Sequence, residues 1–338
     1  NTYRVPVAPK NEYISSEDFL KASVQRSIAG TGNQTENWWS YGLPDGLTEP
    51  AIWDIIQSKD GKLWLSTGAR ESIVANSLTL FDGEYFGKVI VEEKNMRVKL
   101  VVDDKGVPWF SGAQTGLKGT TYFCLGYSDN DNWYFISFPE EIPKSFTNTF
   151  SKGINGSLWI GSSRGALSYN DGLVRSFSVE DGLLSNGISS IATDRSGNTY
   201  FGTFSGLSVY DGKEIRNYSS PDGLIKKEIK VLKEDRSGIM WIGTDKGLFS
   251  LENQEIKYWG KEYGLDRLSI NTLEIDQDNV MWVGTDRGLY QYDKRKSSIF
   301  KISGDFGEVL KIYEDADGIV WVGTNDGFNR YEKDKFED

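Results

Sequence analysis

A set of polar and aromatic residues contains the best candidates for binding a ligand, because most of them recur at one point of a repeated short turn. Charged and amide side chains exchange hydrogen bonds with polar ligands, and an indole stacks on a sugar ring. Gathered on one surface, they would bind a small molecule or a glycan; otherwise they are ordinary turn residues. The candidates are Trp53, near the start of a strand, and, on the turns, Arg70, Glu71, Gln114, Arg164, Phe204, Lys246, Arg287 and Asp326.

The sequence contains no histidine, and this limits the catalytic chemistry that the candidates can support. Histidine acid–base catalysis, Ser–His–Asp triads and imidazole metal sites are all excluded. We predict no cofactor and no metal site, since the acidic loop DNDN at 129–132 lacks the ligand spacing of a calcium loop. The single cysteine, Cys124, lies in an aromatic run and is expected in the core. The 49 acidic residues leave many carboxylate pairs for glycoside hydrolysis, and the sequence selects none of them.

The charge and hydropathy of the chain exclude two classes of partner. The net charge of −11 repels a phosphate backbone, so nucleic acid is not an expected partner. Without a long apolar run, the chain is not expected to insert into a membrane. The expected partner is a small polar ligand or an oligosaccharide.

The candidate turns follow a short segment that recurs seven times in the chain and contains an aromatic anchor residue. This repeat must position the turns. Each anchor is a Trp or Tyr in a segment such as MWIGT, and a period of about 40 residues indicates a repeat architecture. We expect the anchor rings to pack between neighbouring repeats. The anchors are Trp64, Trp109, Trp159, Tyr200, Trp241, Trp282 and Trp321.

Each repeat contains the pattern of four short strands. In the fifth repeat the strands are predicted at 228–235, 239–244, 247–253 and 255–260, and the turns between them contain Gly, Asp or Asn. Four strands in each of seven repeats predict an all-β protein, a seven-bladed β-propeller with four-stranded antiparallel blades.

The two ends of the repeat region predict how the ring closes. The last repeat lacks a fourth strand, and residues 37–41 (NWWSY) resemble one, so the N-terminal strand is expected on the edge of blade seven. We divide the chain into an N-terminal extension or tether at 1–34 and the propeller at 35–338.

The motif D-x-x-G-x-x-W-I-G-T-x-x-G-L-x-x-Y-D, followed by DGL, resembles the two-component regulator propeller repeat. The resemblance extends over about residues 35–338 and is closest in the fourth to seventh repeats. It implies the periplasmic sensor region of a bacterial hybrid two-component system, which binds breakdown products of polysaccharides and passes a signal to a membrane or signalling partner. The expected location is therefore periplasmic or on the cell surface, although the sequence begins at Asn1 and shows no signal peptide. The virginiamycin B lyase propeller has similar repeats, but its chemistry uses a histidine.

In a propeller the connections from the second to the third strand share one face with the connections between blades. We therefore expect a non-catalytic ligand-binding propeller whose site lies on the face with the GTxxGL turns. Insertions in the first and second repeats fall on this same face, where binding surfaces are often built, although loop drift explains them equally well. Two alternatives stay open: a polysaccharide lyase or hydrolase that uses carboxylates or Tyr, and a scaffold for protein assembly.

Overall fold

Seven antiparallel sheets, the blades, are arranged in a ring in the computed structural model of the chain. The innermost strands of successive blades contact one another, and the innermost strand of blade seven contacts that of blade one. The predicted all-β, seven-bladed propeller is therefore confirmed. The structure describes residues 2–4, 23–28, 33–35, 38–47, 49–69, 76–90, 98–115, 121–129, 132–136, 138, 142, 145–218, 228–261, 264–293, 298–304 and 306–332.

The first hairpin of each blade joins the innermost strand to the strand that carries the anchor. The innermost strands of blades one to seven are Ala51–Gln57, Lys99–Val102, Thr147–Lys152, Ile188–Thr193, Ile229–Glu234, Ile270–Ile275 and Val309–Glu314. The second strands are Leu63–Gly68, Pro108–Thr115, Leu158–Ser162, Thr199–Thr203, Met240–Thr244, Met281–Thr285 and Val320–Thr324.

The second hairpin forms the outer half of each blade. The third strands are Asn76–Phe81, Thr121–Asp129, Gly165–Asn170, Gly206–Tyr210, Gly247–Glu252, Gly288–Asp293 and Gly327–Tyr331. The outermost strands are Tyr85–Ile90, Asn132–Ile136, Leu173–Phe177, Ile215–Tyr218, Glu255–Tyr258, Ser298–Lys301 and, in blade seven, Trp38–Tyr41. Short 3-10 helices lie at Leu43–Asp45 and Val179–Asp181, and no helix in the described ranges is long and apolar enough to cross a membrane.

The N-terminal strand Trp38–Tyr41 closes the ring by pairing with the third strand of blade seven. The Ser40 hydroxyl donates to Asn329 Oδ1 at 2.6 Å, and the ring of Tyr41 stacks on Phe328. The prediction that an N-terminal strand completes blade seven is confirmed at residues 38–41, and residue 37 of the predicted strand lies outside the described residues. The sheet edge that this strand covers no longer lies open to another chain.

The extension at 1–34 adds three short strands to the outside of the ring. Thr2–Arg4 pairs with the outermost strand of blade three, Ser23–Ile28 with that of blade one, and Asn33–Thr35 with that of blade seven. Each strand covers an edge that would otherwise present unpaired backbone groups.

An aspartate at the turn between the first two strands holds the anchor ring in place. Asp276 Oδ1 accepts the backbone N–H groups of Asp278 and Val280 at 3.0 and 2.9 Å, while its Oδ2 accepts the indole N–H of Trp282 at 2.9 Å. The spacing D-x-x-G-x-x-W therefore has a physical cause, because one carboxylate satisfies both the turn and the buried indole. The same bond joins Trp241 to Asp235, Trp321 to Asp315, Trp109 to Asp103, Tyr200 to Asp194 and, with a serine, Trp64 to Ser58.

The core consists of apolar layers between neighbouring blades. Trp282 is 1% exposed and packs in one layer with Val309, from the innermost strand of the next blade. A methyl group at Gly284 would lie 2.5 Å from Val309 Cγ1. The glycine of the W-I/V-G-T segment is therefore required by the close approach of two blades.

Candidate functional site

The connections between second and third strands lie beside the starts of the innermost strands, and together they form one face, the turn face. The backbone N–H of Asp286 donates to the carbonyl of Ser269, and that of Phe204 donates to the carbonyl of Gly187. The longer connections of blades one and two begin and end on the same face, although residues 70–75 and 116–120 lie outside the described residues.

A threonine or serine at the end of the second strand fixes most of the described turns. The Thr244 hydroxyl donates to the carbonyl of Gly247 at 2.9 Å and accepts the N–H of Lys246 at 3.1 Å. The turn backbone is therefore set by the repeat, while the side chains between Thr and Gly are left to vary. The same pair of bonds recurs around Ser162, Thr203, Thr285 and Thr324.

The structure places five predicted site residues on separate blades of the turn face, all of them exposed. The side chain of Lys246 lies 3.8 Å from Asp245, and the ring of Phe204 packs over Gly187. Arg70 and Glu71 lie outside the described residues. Gln114 belongs to the second strand of blade two, and its side chain is likewise outside them. The five exposed residues are Arg164, Phe204, Lys246, Arg287 and Asp326.

The sequence did not predict the β-bulges at the turn-face end of the innermost strands. Register shifts occur in blades one, three, four, five, six and seven among the described strands. A bulge re-aims one side chain, and here it does so at the mouth of the central channel. We call the six bulge residues the mouth ring: Trp53, Asn148, Ser189, Lys230, Asn271 and Leu310.

The polar members of the mouth ring reach across to the next blade. Asn148 Nδ2 donates to the carbonyl of Ile188 at 3.0 Å, and Asn271 Nδ2 donates to that of Val309 at 3.1 Å. These bonds run along the rim of the channel rather than into the core. The polar side chains of the ring are therefore held in position from one blade to the next.

Four side chains from blades five, six and seven form a continuous hydrogen-bonded polar arc: Lys230, Asn271, Glu308 and Asn325. Lys230 Nζ donates to Asn271 Oδ1 at 3.1 Å, and Asn271 Nδ2 donates to Glu308 Oε1 at 3.2 Å. Asn325 Nδ2 donates to Glu308 Oε2 at 2.8 Å. A carboxylate has about four acceptor positions and an ammonium three donors, so the arc retains both acceptors and donors for a ligand.

The other side of the mouth ring, in blades seven and one, is apolar: Leu310 and Trp53. Trp53 is partly buried, and its indole N–H has no hydrogen-bond partner within the described ranges. The anchor indoles of blades one, two, five, six and seven do have partners in their turns. The indole N–H of Trp53 is therefore buried without the kind of bond that holds these anchors.

An ion pair between the buried Asp54 and the partly exposed Lys311 lies next to the apolar side of the mouth ring. Lys311 Nζ lies 2.8 Å from Asp54 Oδ1, and these residues follow Leu310 and Trp53 in sequence. Burial alone would raise the pKa of Asp54, but Lys311, Lys99 and the backbone N–H of Leu100 hold that pKa below its usual value. The pair binds blade seven to blade one beneath the mouth.

Sequence reasoning missed Lys230, Asn271 and Glu308 because it treated the innermost strands as regular alternation. The available signal was a polar residue directly after the first buried Ile of the strand, as in Ile229–Lys230 and Ile270–Asn271. Trp53 stands at the same position, after Ile52, and was a candidate from the sequence because it lies near the start of its strand.

A sequence model of the family "Two component regulator propeller" matches residues 303–326, the start of the last repeat. The last repeat is therefore of the two-component regulator propeller type. Among curated proteins, no sequence matches the chain.

Solved structures share the propeller fold. An extracellular domain assigned to a hybrid two component system of B. thetaiotaomicron has a TM-score of 0.75 at 19% identity, and the match covers 90% of this chain and 42% of that one. A second extracellular domain from the same organism has a TM-score of 0.68 at 21% identity, with 89% and 40% covered. The chain thus spans less than half the length of these two relatives. A streptogramin B lyase structure has a TM-score of 0.65 at 15% identity, with 87% and 97% covered.

Proposed function

We propose that the protein is a non-catalytic, extracytoplasmic binding propeller that holds a carbohydrate or another small polar ligand at the mouth ring. The observation that carries the proposal is the division of the mouth into a polar arc and an apolar side. A sugar ring has the matching character, with hydroxyl groups at its edge and C–H groups on its faces.

The polar arc supplies the hydrogen bonds that such a ligand requires. Glu308 is fixed by two amide groups, and Lys230 by one, so these side chains are ordered before the ligand arrives. Ordering in advance lowers the entropic cost of binding. The remaining acceptor positions of Glu308 suit hydroxyl donors, and the remaining ammonium donors of Lys230 suit hydroxyl or carboxylate oxygens.

Trp53 supplies the apolar contact on the opposite side of the ring. An aromatic ring buries a large area at low conformational cost, and its face suits the C–H groups of a pyranose. The exposed turn residues Lys246, Arg287 and Asp326 surround the mouth on blades five to seven and extend the polar surface outwards.

Binding without catalysis is favoured by how the channel acids are used. Asp54 is paired with Lys311 at 2.8 Å, and Glu274 with Lys233 at 2.6 Å. Carboxylates bound in this way stabilise the blade seams and are poorly suited to proton transfer. With no histidine in the sequence, lyase chemistry that depends on one is excluded.

The likeness to extracellular domains of B. thetaiotaomicron systems supports a sensor role outside the cytoplasm. On this proposal the ligand is a breakdown product of a polysaccharide, and a membrane or signalling partner receives the signal.

A glycan array followed by isothermal titration calorimetry tests the proposal on the purified protein. We expect an oligosaccharide to bind and Trp53→Ala or Asn271→Ala to weaken it about tenfold or more, the usual effect of losing one binding anchor. Phe300→Ala is the matched control, because Phe300 is 43% exposed on an outermost strand, remote from the mouth. Binding that survives both mouth substitutions would place the site elsewhere. Turnover of the bound glycan would favour the lyase or hydrolase alternative.

A further inference from the structure

Three large apolar side chains are exposed close together on the turn face of blades three and four. Phe146 is 46% exposed, Val179 47% and Phe204 49%. Exposed apolar groups that cluster in this way commonly mark an interaction surface, whereas single ones need no explanation. We call these residues, together with the exposed Arg164, the apolar rim.

Hydrogen bonds join the segments that carry the apolar rim into one platform. The hydroxyls of Ser145 and Ser163 lie 2.7 Å apart, which places Phe146 beside the turn that contains Arg164. The same turn donates from the Gly165 N–H to the carbonyl of Asn186 at 2.7 Å. The next residue, Gly187, accepts the backbone N–H of Phe204 at 3.0 Å.

Val179 is attached to this platform through its backbone. Its N–H donates to Asn186 Oδ1 at 2.8 Å, and the 3-10 turn that it begins is capped by Ser178 and Asp181. Backbone and capping bonds set this turn, and the side chain of Val179 takes no part in it. That side chain therefore remains exposed to solvent. The apolar rim is presented by a rigid backbone and does not depend on its own packing.

Arg164 defines the chemistry that the apolar rim would recognise. Its guanidinium makes no hydrogen bond or ion pair with another described residue, on a chain with a net charge of −11. An arginine beside two phenylalanines is a combination enriched at protein interfaces, where the cation meets a carboxylate and the rings fill apolar pockets.

We propose that the apolar rim docks a short peptide segment of a partner protein, in which an apolar side chain stands next to an Asp or Glu. The apolar side chain covers Phe146 and Phe204, and the carboxylate pairs with Arg164. This surface lies on blades three and four, whereas the polar arc lies on blades five to seven and Trp53 on blade one, so we expect the two kinds of binding to be independent of each other.

Selection of short random peptides displayed on phage tests the proposal with the whole chain as the target. We expect enriched peptides to share an aromatic or aliphatic residue next to Asp or Glu. Peptides synthesised from that consensus should bind at least about tenfold more weakly to Phe204→Ser than to the wild type, since an interface anchor is lost.

Reversing the charge at Arg164 is the decisive measurement. Against Arg164→Glu, selection should replace the acidic residue of the consensus by Lys or Arg. The matched control is Lys213→Glu, because Lys213 is exposed on the turn between the third and outermost strands of blade four, on the opposite face. Absence of a consensus, or an acidic consensus that persists with Arg164→Glu, would overturn the proposal. Either result leaves glycan binding at the mouth ring to be decided by its own assay.

Discussion

The polar arc of blades five to seven and the apolar rim of blades three and four lie on the same face of the propeller and are built from the same repeat, yet they present opposite chemistry. In the polar arc, side chains hydrogen-bond one another across the blades. In the apolar rim, backbone bonds carry the structure and the side chains are exposed. The comparison shows that the repeat fixes the turn backbone and leaves the chemistry of each turn to residues the fold does not need.

Removing the Lys311 ammonium below the mouth ring should weaken binding at the mouth and leave binding at the apolar rim unchanged. Lys311→Met leaves the buried Asp54 carboxylate without its main partner, so we expect a loss of about 3 kcal/mol in the free energy of unfolding, measured with urea. Glycan binding should weaken because Leu310 and Trp53 adjoin the pair, while peptide binding at the apolar rim should persist. Lys62→Met is the control: its pair with Asp60 is exposed at the surface, and it should cost less than about 1 kcal/mol. Equal losses in the two variants would contradict the role given to the pair of Asp54 and Lys311.

Truncating one aromatic side chain in each region should show that glycan binding and peptide binding use separate sites. Trp53→Ala should lower glycan affinity about tenfold or more and leave peptide affinity unchanged, and Phe204→Ser should do the reverse. Calorimetric titration of each variant with both ligands provides the measurement. Loss of both activities in either variant would indicate a single shared site.

The pH dependence of the free energy of unfolding should report the ionisation of Asp54 below the mouth ring. Because the pKa of Asp54 lies below its usual value, its ionised form stabilises the fold above about pH 4, and this contribution is lost as the pH falls through the lowered pKa. In Lys311→Met the buried carboxyl should protonate at a higher pH. The stability gap between wild type and Lys311→Met should therefore be widest near neutral pH and narrow towards about pH 3. Urea unfolding at three pH values would show this, and a constant gap would rule it out.

The smallest effect is expected at the exposed turns around the polar arc. Arg287→Ala should change stability by less than about 0.5 kcal/mol, as is usual for exposed positions. It should lower glycan affinity by no more than about threefold, because exposed charges contribute little to binding free energy. A tenfold loss would move the centre of the site from the mouth ring to the turns.

The fold could be predicted from the sequence because each repeat has the same strand pattern around a Trp or Tyr anchor. The closing strand at 38–41 followed from counting strands in the last repeat. The pairing of Ser23–Ile28 with blade one did not follow, because an added edge strand needs only backbone groups and leaves no hydrophobic pattern.

Much of the candidate site was not predictable for a different physical reason. A bulge redirects Lys230 and Asn271 towards the channel mouth, and bulges have no clear signature in a single sequence. Asn325 was recognisable as a turn residue, but its bond to Glu308 joins a turn to the start of a strand within one blade. Trp53 was a candidate from the sequence because it stands near the start of its strand.

The pairing of Trp38–Tyr41 with the last repeat also determines when the ring can close during synthesis. Ser40 must wait for Asn329, which is 289 residues later in the chain. At 5–20 residues per second, the wait on the ribosome lasts between roughly 15 and 60 s. Throughout that interval the ring is open, and the strand Trp38–Tyr41 has no partner in blade seven. The first residues of the ring are therefore among the last to acquire their native neighbours.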